Sequence, residues 1–172
     1  MHKKETMKTK GTLIFFCGKM GAGKSTLSHE IASKEEAILL SEDEWLKNIY
    51  PEEIENFEDY IKYSSRLKPI MKQHIQNILA SGISVVMDFP GNTENQRTWF
   101  KEIYKKQDFP HKLIYLDVTD NVCIQQIEKR RKTNPERAQF DTEEVFRHIT
   151  SYFQPPLEHE CFNVEVISTE NA

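Results

Sequence analysis

Long apolar runs, grouped metal ligands and an excess of positive charge are all missing from this chain of 172 residues, and each absence removes a class of function. No stretch approaches the roughly 20 apolar residues that a membrane-spanning helix needs, so no membrane role is expected. Met1 to Lys10 is basic but has no apolar segment behind it. It reads as a frayed tail over residues 1–10 rather than a secretory signal. The three cysteines, Cys17, Cys123 and Cys161, are scattered, odd in number and without metal spacing. They read as reduced thiols, which points to a cytoplasmic protein. The six histidines are dispersed, and no H-E-x-x-H occurs. A formal net charge of −4 argues against a broad nucleic-acid surface while leaving room for a small basic groove. Internal repeats and low-complexity tracts are absent, and no N-K-x-D sequence is present to read guanine. Glycine is scarce as well. There are six, yet Gly18, Gly21 and Gly23 fall within one short stretch.

That stretch is Gly18-Lys19-Met20-Gly21-Ala22-Gly23-Lys24-Ser25, a full G-x-x-x-x-G-K-[ST] phosphate-binding loop. Its residue types follow from what a phosphate requires. Glycines let the backbone curl until successive N–H groups point inward at phosphate oxygens. Lys24 brings a point charge to the β- and γ-phosphates, and the Ser25 hydroxyl can ligate Mg²⁺. The helix that follows, entered at Thr26, presents its positive end to the same anion. The flanks agree. Thr12 to Cys17 is a short apolar run, as in a buried parallel strand, and Thr26 to Ala32 continues as a helix with Leu27 and Ile31 on one face. Gly18 to Thr26 are therefore the expected nucleotide-binding residues.

The rest of the chain alternates strand and helix. Ala37 to Leu40 is the second strand, and Ser41 with Glu44 forms a capping box for a short helix that stops before Pro51. Glu52 to Tyr63 is acidic and aromatic with only weak periodicity. Leu67, Met71, Ile75 and Ile78 mark an amphipathic helix over 65–80, closed by Gly82. Ile83 to Met87 is the third strand, ending at Asp88. Thr93 and Gln96 cap a helix with Trp99, Phe100, Ile103 and Tyr104 as its buried stripe. Leu113 to Leu116 is the fourth strand, followed by a helix capped by Thr119 that runs into Lys129-Arg130-Arg131-Lys132. Residues 133–140 lack periodicity. Asp141 with Glu144 caps a last helix, and Phe162 to Ile167 is the fifth strand. Such alternation implies an α/β fold, a parallel sheet with helices on both faces, in one domain over 11–172. Right-handed crossovers then bring the strands' C-terminal ends to one edge, where ligands sit.

Phosphoryl transfer needs a held phosphate, a metal, charge neutralisation and an oriented nucleophile. Asp43, just past the second strand, can take the proton of an attacking hydroxyl or hold a water on Mg²⁺; its structural alternative is a helix-start carboxylate. Asp88 can hold Mg²⁺ through water or contact an acceptor, or simply begin a turn. Asn92, Thr93 and Arg97 can grip an acceptor. Alternatively they are a turn residue, a cap and a solvated charge. Arg130, Arg131 and Arg137 go with the irregular stretch 132–140, and residues 130–141 could close as a lid over the phosphates; alternatively the arginines are a solvated basic helix end. Arg130 and Arg137 are the expected catalytic arginines, beside Lys24 and Asp43.

These motifs together resemble the P-loop small kinases. Leu40-Ser41-Glu42-Asp43-Glu44, Asp88-Phe89-Pro90-Gly91-Asn92-Thr93, Arg97-Thr98-Trp99-Phe100 and Tyr152-Phe153-Gln154-Pro155-Pro156, then Phe162-Asn163-Val164, look like the bacterial predicted-kinase ATP-binding proteins. That group is akin to the polynucleotide 5′-kinases and the zeta-toxin-type kinases. The resemblance spans about Gly11 to Ser168. It implies a P-loop NTPase three-layer sandwich with strand order 2-3-1-4-5. It also implies ATP and Mg²⁺ as the nucleotide and metal, with Asp43 in the place of the acceptor-activating carboxylate and Arg130 and Arg137 as lid arginines. The polynucleotide kinases carry an arginine soon after that carboxylate, whereas Trp45-Leu46-Lys47 follows here. The expectation is therefore transfer of the γ-phosphate to a hydroxyl of a small molecule. A nucleic-acid 5′-kinase, or a nucleotide-dependent switch module, stands behind it.

Overall fold

The computed structural model describes residues 9–135 and 138–168. Its centre is β1 (Leu13–Gly18), buried along its whole length. The chain then runs through α1 (Lys24–Lys34), β2 (Ile38–Ser41), α2 (Glu42–Ile49), α3 (Phe57–Ala80), β3 (Val85–Asp88), α4 (Glu94–Tyr104), β4 (His111–Asp117), α5 (Asp120–Thr133), α6 (Glu143–Thr150) and β5 (Val164–Ser168). All strand pairs are parallel, and the sheet order is β2-β3-β1-β4-β5. This is the expected three-layer α/β sandwich.

Side-chain alternation along β1 builds both layers at once. Leu13, Phe15 and Cys17 face one core with Leu46 of α2, Leu67, Met71, Ile75 and Leu79 of α3, and Phe100 and Ile103 of α4. Ile14 and Phe16 face the other with Ala32 of α1, Cys123 and Ile127 of α5, and Phe146 of α6. Burial on both sides explains why the central strands read as unbroken apolar runs. At the sheet's edge β5 is exposed over Val164 to Ile167. Among the described residues no helix is long and apolar enough to cross a membrane.

Several local expectations are corrected. The helix expected over 65–80 begins at Phe57 and runs unbroken for 24 residues with Pro69 inside it. Asn56 starts it by accepting a bond from the Asp59 N–H at 3.0 Å. The proline is tolerated because it and Ser65 lie on the exposed side, where the carbonyl that loses its helical partner meets water. Thr142, not Asp141, caps α6, accepting from Val145 N–H at 3.2 Å. Thr119 occupies the cap position of α5 without a side-chain cap bond. Trp99 is only half-buried, and the fully buried polar member of α4 is Arg97.

Candidate active site

The P-loop leaves the carboxyl end of β1 and enters α1. Gly21 and Gly23 take positive φ, 77° and 95°, which glycine alone adopts without strain. Gly21 is also required by its neighbour. A Cβ there would come within 2.6 Å of the Cys123 carbonyl and 2.7 Å of Ile127. Helix α5 thus lies directly on the loop, and Lys19 adds an ion pair to Asp120 in its first turn. Gly21→Val should therefore push the loop off α5. The expected result is loss of Mg-ATP binding by calorimetry in protein that retains its helical circular dichroism.

Lys24 folds back over the loop, its Nζ donating to the carbonyl oxygens of Gly18 and of Lys19, the latter at 2.9 Å. Burial lowers its pKa to about 8, with Cys17 and Asp88 pulling the other way. A phosphate anion in the loop would oppose that shift. The first N–H of the loop, on Gly18, donates to Asn92 Oδ1 at 3.1 Å. Met20 and Ala22 pack into the core on the α5 side, while Ser25 and Thr26 lie exposed at the start of α1.

Two carboxylates share this edge. The register pairs Ser41 with Asp88, so the ends of β2 and β3 lie side by side and α2 begins there. Asp88 is half-buried. Burial raises its pKa, and a hydrogen bond with the Ser25 side chain opposes the rise, as does Lys24. Asp43 stands exposed in the first turn of α2, near enough to add its negative charge to the Asp88 environment. Lys24, Ser25, Asp43 and Asp88 therefore converge, as the topology of the sequence led one to expect. Ser25 and Asp88 offer hard oxygen donors in contact with each other, a set suited to Mg²⁺ held partly through water.

One functional neighbour escaped the sequence reading. Glu42 is 1% exposed, and the Tyr60 hydroxyl and Ser64 Oγ both donate to its carboxylate. Burial raises its pKa, and those two bonds oppose the rise. The bonds tie the first turns of α2 to the amino-terminal half of α3. Its i, i+4 spacing with Leu46, the other buried residue of α2, was the available signal.

The three residues expected to contact an acceptor are each engaged within the protein. Arg97 is 0% exposed. It forms a two-pronged ion pair with Glu160, Nε and Nη2 each at 2.8 Å, and its Nη1 donates to the carbonyls of Gly91 at 3.0 Å and Gln154 at 2.8 Å. It cannot reach a ligand. Asn92 spends its side-chain oxygen on Gly18, and Thr93 caps α4 through the Gln96 N–H at 3.2 Å. Both shape the loop after β3. Arg130 is half-buried and gripped at two points by the carboxylate of Asp141, with Nε at 2.8 Å from Oδ2. Its charge is felt at Lys24. Arg137 lies outside the described residues.

A P-loop at the centre of a parallel 2-3-1-4-5 sheet, with carboxylates on the neighbouring strand ends, defines a P-loop nucleotide-binding protein of the α/β class. Residues 13–156 match the family model of the AAA domain, and the chain belongs to that family. No curated protein matches it. Among solved structures, a sugar kinase from Janibacter sp. superposes with a TM-score of 0.63 at 14% identity, over 92% of this chain and 85% of that one. The APS kinase of Mycobacterium tuberculosis, solved with AMPPNP and APS, superposes with a TM-score of 0.64 at 16% identity, over 95% of this chain and 91% of that one. These likenesses are of fold alone.

Proposed function

We propose that the protein is an ATP- and Mg²⁺-dependent kinase that transfers the γ-phosphate to a hydroxyl group of a small molecule. The observation that carries this reading is the meeting of the P-loop lysine, the Ser25–Asp88 contact and the exposed Asp43 at one sheet edge. The kinase fold of its structural neighbours supports nucleotide-dependent phosphoryl transfer in general. In this reading the loop amides and Lys24 hold the β- and γ-phosphates. Ser25 would hold the metal directly and Asp88 through water; when bound, it neutralises phosphate charge. Asp43 accepts the proton of the acceptor hydroxyl. Arg130, oriented by Asp141, meets the charge of the transferring group. Residues 130–141 close over the phosphates as a lid and exclude water, with Arg137 as a second candidate for the same charge.

The test is a transfer assay with γ-labelled ATP against a cell metabolite extract, beside a calorimetric titration with Mg-ATP. The expected result is magnesium-dependent nucleotide binding and label appearing in a small-molecule product. Folded protein that takes up no Mg-ATP, or that binds it and labels nothing, defeats the reading.

A further inference from the structure

Three acids, Glu42, Asp43 and Asp88, lie close together at this edge. Arg97, the cation expected to serve an acceptor there, is sealed inside the protein. Another cation is carried by α3. Lys68 of α3 is half-buried, and its Nζ lies 5.5 Å from the centre of the Trp99 ring. Trp99 in turn packs on Phe89, ring centres 5.4 Å apart, and Phe89 is the residue after Asp88. On its own helix Lys68 is one turn beyond Ser64, whose hydroxyl donates to Glu42. Its charge is felt at the Glu42 carboxyl. Lys68 thus stands over the Trp99 ring of α4, one turn along α3 from the serine that bonds Glu42.

Its neighbours in the cleft between α3 and α4 are already engaged. Lys72 pairs with Glu102 at 2.8 Å, and Lys101 donates to the Glu160 carbonyl at 2.6 Å. Among the described residues no carboxylate lies within ion-pair distance of Lys68. A cation ordered against an aromatic face, partly desolvated and without a bonded anion, has its donors available to a ligand.

We propose that Lys68 binds an anionic group, a carboxylate or a phosphate, carried by the acceptor, so that the alcohol phosphorylated here is an anionic small molecule. This rests on the kinase reading above. Lys68 offsets the repulsion that Asp43 and Asp88 would exert on such a molecule, and a neutral alcohol gains nothing from it. Trp99, half-buried against Lys68, supplies an apolar wall beside the anion.

The experiment divides a metabolite extract by anion exchange at neutral pH and assays the retained and unretained fractions as acceptors with γ-labelled ATP. The retained fraction should be labelled. Treating the extract first with a phosphatase, then removing that enzyme, separates the two anions: activity lost marks a phosphomonoester, activity kept marks a carboxylate. Lys68→Met should raise the apparent KM for the active fraction about ten- to hundredfold, the scale of one charge-assisted bond, with the KM for ATP unchanged. Lys68→Arg should restore most of the loss, which a purely structural role would not predict. Labelling confined to the unretained fraction, or an unaltered KM in Lys68→Met, overturns the proposal and leaves the kinase reading standing. No labelling of any fraction defeats the kinase reading and this inference with it.

Discussion

Asp43→Asn should lower turnover by about 10²–10⁴-fold, the usual contribution of a positioned general base, while Mg-ATP binds as before. Lys24→Ala should instead abolish both binding and transfer. The contrast follows from where the two side chains sit. Lys24 lies inside the loop, bonded to the carbonyls of Gly18 and Lys19. Its removal leaves both the phosphate charge and the loop's own oxygens unserved. Asp43 lies outside the loop in sequence. It is exposed on the first turn of α2, one strand end away from Asp88. In the proposed reading Asp88, half-buried beside Ser25, serves the metal, and Asp43, exposed at the start of α2, serves the acceptor hydroxyl. Single-turnover measurements with labelled ATP separate the two. Undiminished transfer by Asp43→Asn removes it from the mechanism.

Arg97→Met should destabilise the protein by about 3–5 kcal/mol, because it strands the Glu160 carboxylate in the interior. Arg97 and Glu160 are 0% and 5% exposed, so solvent cannot replace the lost partner. Urea unfolding measures the loss, and the Arg97→Met, Glu160→Met double variant should recover part of it. The sign with pH is also set. Burial pushes the Glu160 pKa up, but bonds from Arg97 and the Leu157 N–H hold it below its ordinary 4.5. The pair's contribution is therefore full above about pH 4.5 and fades as the pH falls through the lowered value. Arg97→Met should also weaken nucleotide binding. The guanidinium holds the Gly91 and Gln154 carbonyls, Gln154 N–H donates to the Asn92 carbonyl at 2.9 Å, and Asn92 Oδ1 receives the first N–H of the P-loop. A variant that unfolds normally in urea would show that the pair adds nothing to stability.

The sequence by itself determined the strand–helix alternation, the parallel sheet and the place of the phosphate loop. Those signals are local, since glycine positions, apolar runs and cap residues act through their own backbone. It also named Lys24, Ser25, Asp43 and Asp88, because each follows a strand whose end must lie at the ligand edge. Only the tertiary structure decided what the remaining polar residues do. Arg97 and Glu160 are 63 positions apart, and Arg130 and Asp141 are separated by a stretch without periodicity. No local pattern says that one arginine will be sealed in a core and the other held at its margin. Glu42 reads as one of three adjacent acids until α3 brings Tyr60 and Ser64 to it. Pairings of that kind depend on which elements pack together, and that is settled by the whole core at once.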